Sequence, residues 1–318
     1  MIGKMIRKTT LLVLLCAVAL GAAVYYFDWK RNRAGQTAED ASKPAFSIQI
    51  NEVASLTFTR PAQAPEPPIR LERHNGAWKI VQPIQADADQ SRVEGIVEEI
   101  ASARVSQTEP GSPDRRKAYG LDPPQASVEF ELQSGAKHTV LMGNRDFTGA
   151  YVYALVDGGP SVALLAADLS TSAGTSVSEL RDRRVVHMDA GDVQRVEIHN
   201  SNGAMIVSRK KDNAEEWTIE APEDQKGKPA SGWKITDAIS GLGAEEVIDR
   251  PAASVLRQTA SPTIRVVLTG KDGRQSTVRL STPSGDFVYA RADDTPTLYK
   301  LKRKVLDDWN LKPADLAP

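Results

Sequence analysis

Cysteine is almost absent from this chain of 318 residues: there is one, Cys16, and it falls inside an apolar run. No intramolecular disulfide can form, so the fold must rest on packed cores. Histidine is scarce as well. The four, His74, His138, His187 and His199, never stand four residues apart, which excludes the helical pair that binds zinc. Net charge of one sign is missing too: 40 Lys and Arg meet 41 Asp and Glu. A general nucleic-acid binder needs a cationic surplus to release counterions, so nucleic acid is not an expected partner. The remaining composition, 41% hydrophobic and 25% charged, is that of a globular chain long enough for two domains.

One long apolar run is present. Thr9 to Phe27 carries no charge, and at about 1.5 Å per residue it spans roughly 28 Å, the hydrocarbon thickness of a bilayer. Tyr25, Tyr26 and Trp29 stand where an interfacial aromatic belt belongs. The expectation is a transmembrane helix over 9–29 behind a cytoplasmic tail, 1–8. Ala17-Val18-Ala19 offers a signal-peptidase site, but the apolar run continues beyond it, which favours retention. Leu15, where a lipoprotein signal needs a small residue, speaks against lipidation. Basic residues flank the run on both sides. The signal-like order places the amino terminus inside and the bulk in the periplasm, anchored in a bacterial inner membrane by one pass.

Residues 30–46 are largely small and polar and read as a linker. Beyond it the chain repeats itself. "EVASLTF" (52–58) is matched by "DVQRVEI" (192–198), and Trp78-x-Ile80-x-x-Pro83 by Trp217-x-Ile219-x-x-Pro222. A helical stripe of Val93, Ile96, Val97 and Ile100 answers to Ile235, Ile239 and Leu242. Hairpins follow from Pro124 and Pro262, and "YVYALVDGGPSVALL" (151–165) returns as "FVYARADDTPTLYKL" (287–301). Five landmarks in one order, with offsets of 136 to 140, predict two tandem duplicated α+β domains, 47–186 and 187–318. Each should be an antiparallel sheet with one packed helix. The Pro-rich 60–70 and "DLSTSAGTS" (168–176) read as extra loops of the first copy.

The search for chemistry yields no catalytic, cofactor or metal residues. Asp87, Asp89, Ser91 and Glu98 fit positions 1, 3, 5 and 12 of a calcium loop, but Arg92 stands where the turn requires glycine. Ser91 and Glu94 instead suggest a capping box at a helix start. "TGKDGR" (269–274) lacks the phosphate-cradling frame and reads as a turn. "RDRR" (181–184) reads as a solvated face or as ion pairs rather than an anion site. Trp78 and Trp217 are expected to anchor helix to sheet; exposure on a shared groove would instead favour a ligand platform.

Trp78-x-Ile80-x-x-Pro83, Ala86-Asp87, "YGLDPP" (119–124) and "ELRDRRVV" (179–186), behind a short membrane helix, resemble the bacterial domain-of-unknown-function family 4340. The second copy departs from it: "SVLRQTASP" replaces Tyr-Gly-Leu. The resemblance implies a membrane-anchored envelope protein, often encoded beside gliding-motility-type ABC transporters, with no catalytic residues to carry over. The expected function is therefore a non-enzymatic accessory subunit that contacts a protein partner in a transport or envelope complex. The alternatives are a periplasmic glycan-, peptidoglycan- or lipid-binding module and, further off, an envelope hydrolase.

Overall fold

The computed structural model describes residues 42–60, 67–210, 216–293 and 295–317. The expected membrane helix over 9–29 lies outside them, as does most of the Pro-rich insertion. Among the described residues no helix is long and apolar enough to cross a membrane. The chain divides into two compact units between Arg181 and Asp182. Val185 and Val186 already belong to the second core, and the Val185 amide donates to the Leu242 carbonyl at 3.0 Å.

The first unit runs β1 (Lys43–Pro44), β2 (Val53–Thr59), β3 (Ile69–His74), β4 (Ala77–Gln82), β5 (Ala86–Asp87), α1 (Gln90–Ser102), β6 (Arg104–Val105) and β7 (Gln107–Pro110). It continues through α2 (Pro113–Ala118), β8 (Ala126–Leu132), β9 (Lys137–Arg145), β10 (Tyr151–Val156), β11 (Ser161–Ala166), α3 (Asp168–Ala173) and α4 (Val177–Leu180). Nine of the strands form one antiparallel sheet in the order β5-β4-β3-β2-β8-β9-β10-β11-β7. Val93, Ile96, Val97 and Ile100 of α1 are buried with Leu56, Leu71, Ile80, Val128 and Val140 from the sheet. The helix forms because its apolar residues share one stripe that only the sheet can cover. The linker ends earlier than its composition suggests: β1 pairs with β6, and Phe46 is buried edge-on to Phe130.

The second unit runs β12 (Val193–Asn200), β13 (Gly203–Arg209), β14 (Trp217–Ala221), β15 (Pro229–Ala230), α5 (Gly232–Ser240), β16 (Glu246–Ile248) and α6 (Ala253–Leu256). It closes with β17 (Ile264–Gly270), β18 (Gln275–Leu280), β19 (Phe287–Ala292), β20 (Leu298–Lys302) and α7 (Lys304–Trp309). Its sheet order is β15-β14-β13-β12-β17-β18-β19-β20-β16, strand for strand that of the first. The turn chemistry matches as well. Asp157 and Asp293 both have φ of 49°, a left-handed conformation that aspartate's short polar side chain tolerates. Each carboxylate accepts a backbone N–H from the neighbouring strand, Thr139 at 2.8 Å and Thr277 at 2.7 Å. The last elements close the units alike: the Asp89 amide, before α1, donates to the Leu180 carbonyl at 2.8 Å, and the Ser231 amide, before α5, to Leu316 at 2.7 Å.

Two expectations need correction. Residues 168–173 are not an extra loop but the helix α3, which follows β11 as α7 follows β20. Burial of Leu169 and Ala173 against the core overrides the weak helix propensity of a Ser/Thr-rich stretch. Nor does each sheet carry a single helix. In the first unit Leu121, beyond α2, packs with Leu155 and Val162 as a small second cluster. Their strand neighbours Ala154 and Ala163 belong to the main core, so by alternation this cluster covers the opposite face.

Candidate functional site

The matched tryptophans are interior. Trp78 has no exposed surface and Trp217 only 2%, so the pair forms no ligand groove. Each stands across from an arginine on the adjacent strand, and the Arg73 and Arg209 guanidinium carbons lie 4.8 Å from the respective ring centroids. The Trp78 Nε1–H donates to Glu94 at 3.1 Å, and Arg73 donates to the same oxygen at 2.8 Å. These are structural anchors that tie a sheet edge to the helix.

The helix start differs from the capping box expected at Ser91. Asp89 is the N-cap, its Oδ1 accepting from the Arg92 amide at 3.0 Å. Glu94, released from that role, serves Arg73 and Trp78 instead. Asp87 pairs with Lys79 at 2.7 Å. The calcium-like spacing thus resolves into a cap and an ion pair.

Each of the four histidines stands beside a carboxylate: His74 by Glu72 at 3.2 Å, His138 by Asp157 at 2.8 Å, His187 by Asp182 at 3.5 Å and His199 by Glu197 at 2.7 Å. Among the described residues no three His, Cys, Asp or Glu side chains group to hold a metal ion. His138 also stacks on Phe130, with centroids 5.0 Å apart, where its ring extends the edge of the core.

The "RDRR" stretch hides its acid. The Asp182 side chain is only 7% exposed. Burial pushes its carboxyl up, but hydrogen bonds from His187 and from the side chain and amide of Arg184 outweigh this and hold it far below the usual carboxylate range. A depressed folded pKa stabilises above the unfolded value, near 3.8, and that stabilisation is lost as pH falls toward the folded value. Asp182→Asn should therefore cost about 1–3 kcal/mol at neutral pH and progressively less below about pH 4. Urea unfolding of both proteins between pH 2.5 and 7 checks this; parallel curves would refute it. A recess of about 350 Å³ nearby is lined by Arg184, Lys271 and Arg274, but these pair with Asp182, Asp192 and Asp272 and leave no surplus for an anion.

Two features of the first unit escaped the sequence reading. A cavity of about 550 Å³ opens between the end of α1, β6, β11 and α3, lined among others by Glu99, Arg104, Tyr151, Leu165 and Asp168. Glu99 accepts from the Ser172 hydroxyl at 2.6 Å. The turn between β9 and β10 presents Phe147, which is 98% exposed. Hydrophobic periodicity cannot flag such a residue, because a turn has no buried face to repeat.

The family model of a domain of unknown function, DUF4340, matches residues 78–262, more than half of the chain. The chain belongs to the DUF4340 family. No curated protein and no solved structure matches it. The DUF4340 match begins at Trp78 itself, takes in α1, the Tyr119-Gly120-Leu121 turn and the division at Arg181, and ends just before β17. The family pattern therefore reaches from most of the first unit into the first half of the second.

Proposed function

We propose that this DUF4340 protein is a non-enzymatic, single-pass membrane protein of the bacterial inner membrane. Its bulk lies in the periplasm and contacts a protein partner in an ABC-type transport or envelope complex. Support for the anchor is the uncharged run from Thr9 to Phe27 behind a short basic segment. The two sheets read as copies of one ancestral fold, supported by their common strand order and the paired Arg–Trp contacts. The observation that carries the binding reading is Phe147, an aromatic residue of the first unit that is almost wholly exposed. Soluble surfaces expose single apolar residues freely, but a rigidly presented ring suits a protein contact.

The test is affinity purification of the tagged full-length chain from its native membrane in mild detergent. Transport or envelope proteins should co-purify, and the chain should stay in the membrane fraction through alkaline carbonate washing. Recovery of the chain alone, or its release by carbonate, would overturn the reading.

A further inference from the structure

The Phe147 turn leads into a wall of the 550 Å³ cavity, which Tyr151, the first residue after it, helps to line. Tyr151, which opens β10 and lines the cavity, has its backbone bonded to Asp146, the residue before Phe147. Ala150, which closes the turn, accepts from the Ala167 amide at 2.9 Å, and Asp168, next in the chain, lines the cavity.

The turn is braced from within. The Asp146 carboxylate accepts from the Thr148 hydroxyl at 2.7 Å and the Tyr151 amide at 3.0 Å. The Asp146 amide donates to the Tyr151 carbonyl at 2.9 Å, and Gly149, at φ 75°, donates back to the Asp146 carbonyl at 3.1 Å. Arg145 at its base donates to the Thr171 hydroxyl of α3 at 2.8 Å. A ring presented this way has little backbone freedom left to lose on binding, which is the condition for an anchor residue. The corresponding connection of the second unit, 281–286, carries no aromatic residue.

We propose that Phe147 and the adjoining cavity are one protein-docking surface. The ring enters an apolar recess of the partner, while a Lys or Arg of that partner reaches Glu99 and Asp168. The inference rests on the interaction role proposed above and gives it a location. The acidic side chains decide the chemistry of the partner. Interfacial membrane segments combine several apolar residues with Lys and Arg. Here a single ring stands among Asp146, Asp168 and Glu99, against which Arg145 and Arg104 set two cations, so the turn has neither the apolar row nor the cationic surplus of such a segment. The cavity's own cation, Arg104, donates to the Ser42 carbonyl at 3.0 Å.

The experiment places p-benzoylphenylalanine at position 147 of the tagged full-length chain in native membranes, with position 233 of the second unit as control. Irradiation should give an adduct with one protein species from 147 and not from 233. Recovery of that species should fall about 10- to 100-fold in Phe147→Ala. It should fall several-fold, with weaker salt dependence, in Asp168→Asn, and stay unchanged in Trp233→Ala. The unfolding midpoint of Phe147→Ala should match the parent, because the exposed ring packs on little. Adducts with lipid alone or with a second copy of the chain would overturn the partner class. A partner retained undiminished by Phe147→Ala would overturn this surface and leave the interaction role standing. A parent chain that recovers no partner would remove both.

Discussion

Trp78→Ala is expected to destabilise the first unit by about 3–5 kcal/mol, the range for emptying a buried aromatic site. The indole is wholly buried, and three interactions converge on it: core packing, the Arg73 guanidinium over its face and the Nε1–H bond to Glu94. Its removal leaves Arg73 and Glu94 bonded to each other, but the arginine loses the ring beneath it. Such a loss is a large fraction of the roughly 5–15 kcal/mol that keeps a typical domain folded. The second unit has a core of its own, in which Trp78 takes no part. Urea unfolding should therefore separate into two transitions. Far-UV circular dichroism should lose part of its signal early. Fluorescence should then report mostly the second unit, which keeps Trp217, Trp233 and Trp309. Trp78→Phe, which keeps a ring and loses only the N–H donor and some volume, should fall between. A parent-like midpoint for Trp78→Ala would contradict the core described here.

Gly143→Ala should cost about 1–3 kcal/mol, although it adds one methyl group to a strand. A Cβ at Gly143 would lie 2.1 Å from the Tyr119 carbonyl oxygen and 3.0 Å from the Gly120 carbonyl carbon. Backbone cannot swing aside as a side chain can. Tyr119 is held besides: its carbonyl accepts from the Asn144 amide at 2.7 Å, and its ring stacks on Tyr153 with centroids 4.0 Å apart. The substitution should unseat Leu121 from its cluster and speed hydrogen exchange at the Asn144 amide. Gly95→Ala is the matched control. Its Cβ would meet nothing within 4 Å in the middle of α1, so it should stabilise by up to about 1 kcal/mol. Equal effects at the two positions would refute the close approach at Gly143.

Why the Tyr-Gly-Leu turn needs a glycine on another strand is not written in its own neighbourhood. What could be read from sequence was local and periodic: the helical stripes, the Trp-x-Ile alternation, and the aspartates that open the matched turns. Each rests on contacts within a few residues or on one repeating face. The rest depends on distant neighbours. Strand β7 returns to pair with β11, and the short β16 with β20, through contacts no periodicity announces. Asp89 rather than Ser91 caps α1, because the register of the helix on the sheet decides between two good caps. Residues 168–173 form a helix where Ser and Thr advertise a loop, because Ser172 finds Glu99 and Leu169 finds the core. At the candidate surface, the sequence offered Phe147 only as a letter between Asp and Thr. Its meaning lies in the bonds that hold the turn and in the hollow beside it.

The outermost strands of both sheets are short. In the first, β5 has two residues and β7 four, ending in a proline; in the second, β15 has two and β16 three. An incoming peptide that sought to lengthen either sheet would find few free amides and carbonyls in line, too few to template a strand. A protein partner of the kind proposed would therefore read side chains rather than continue the backbone of either sheet.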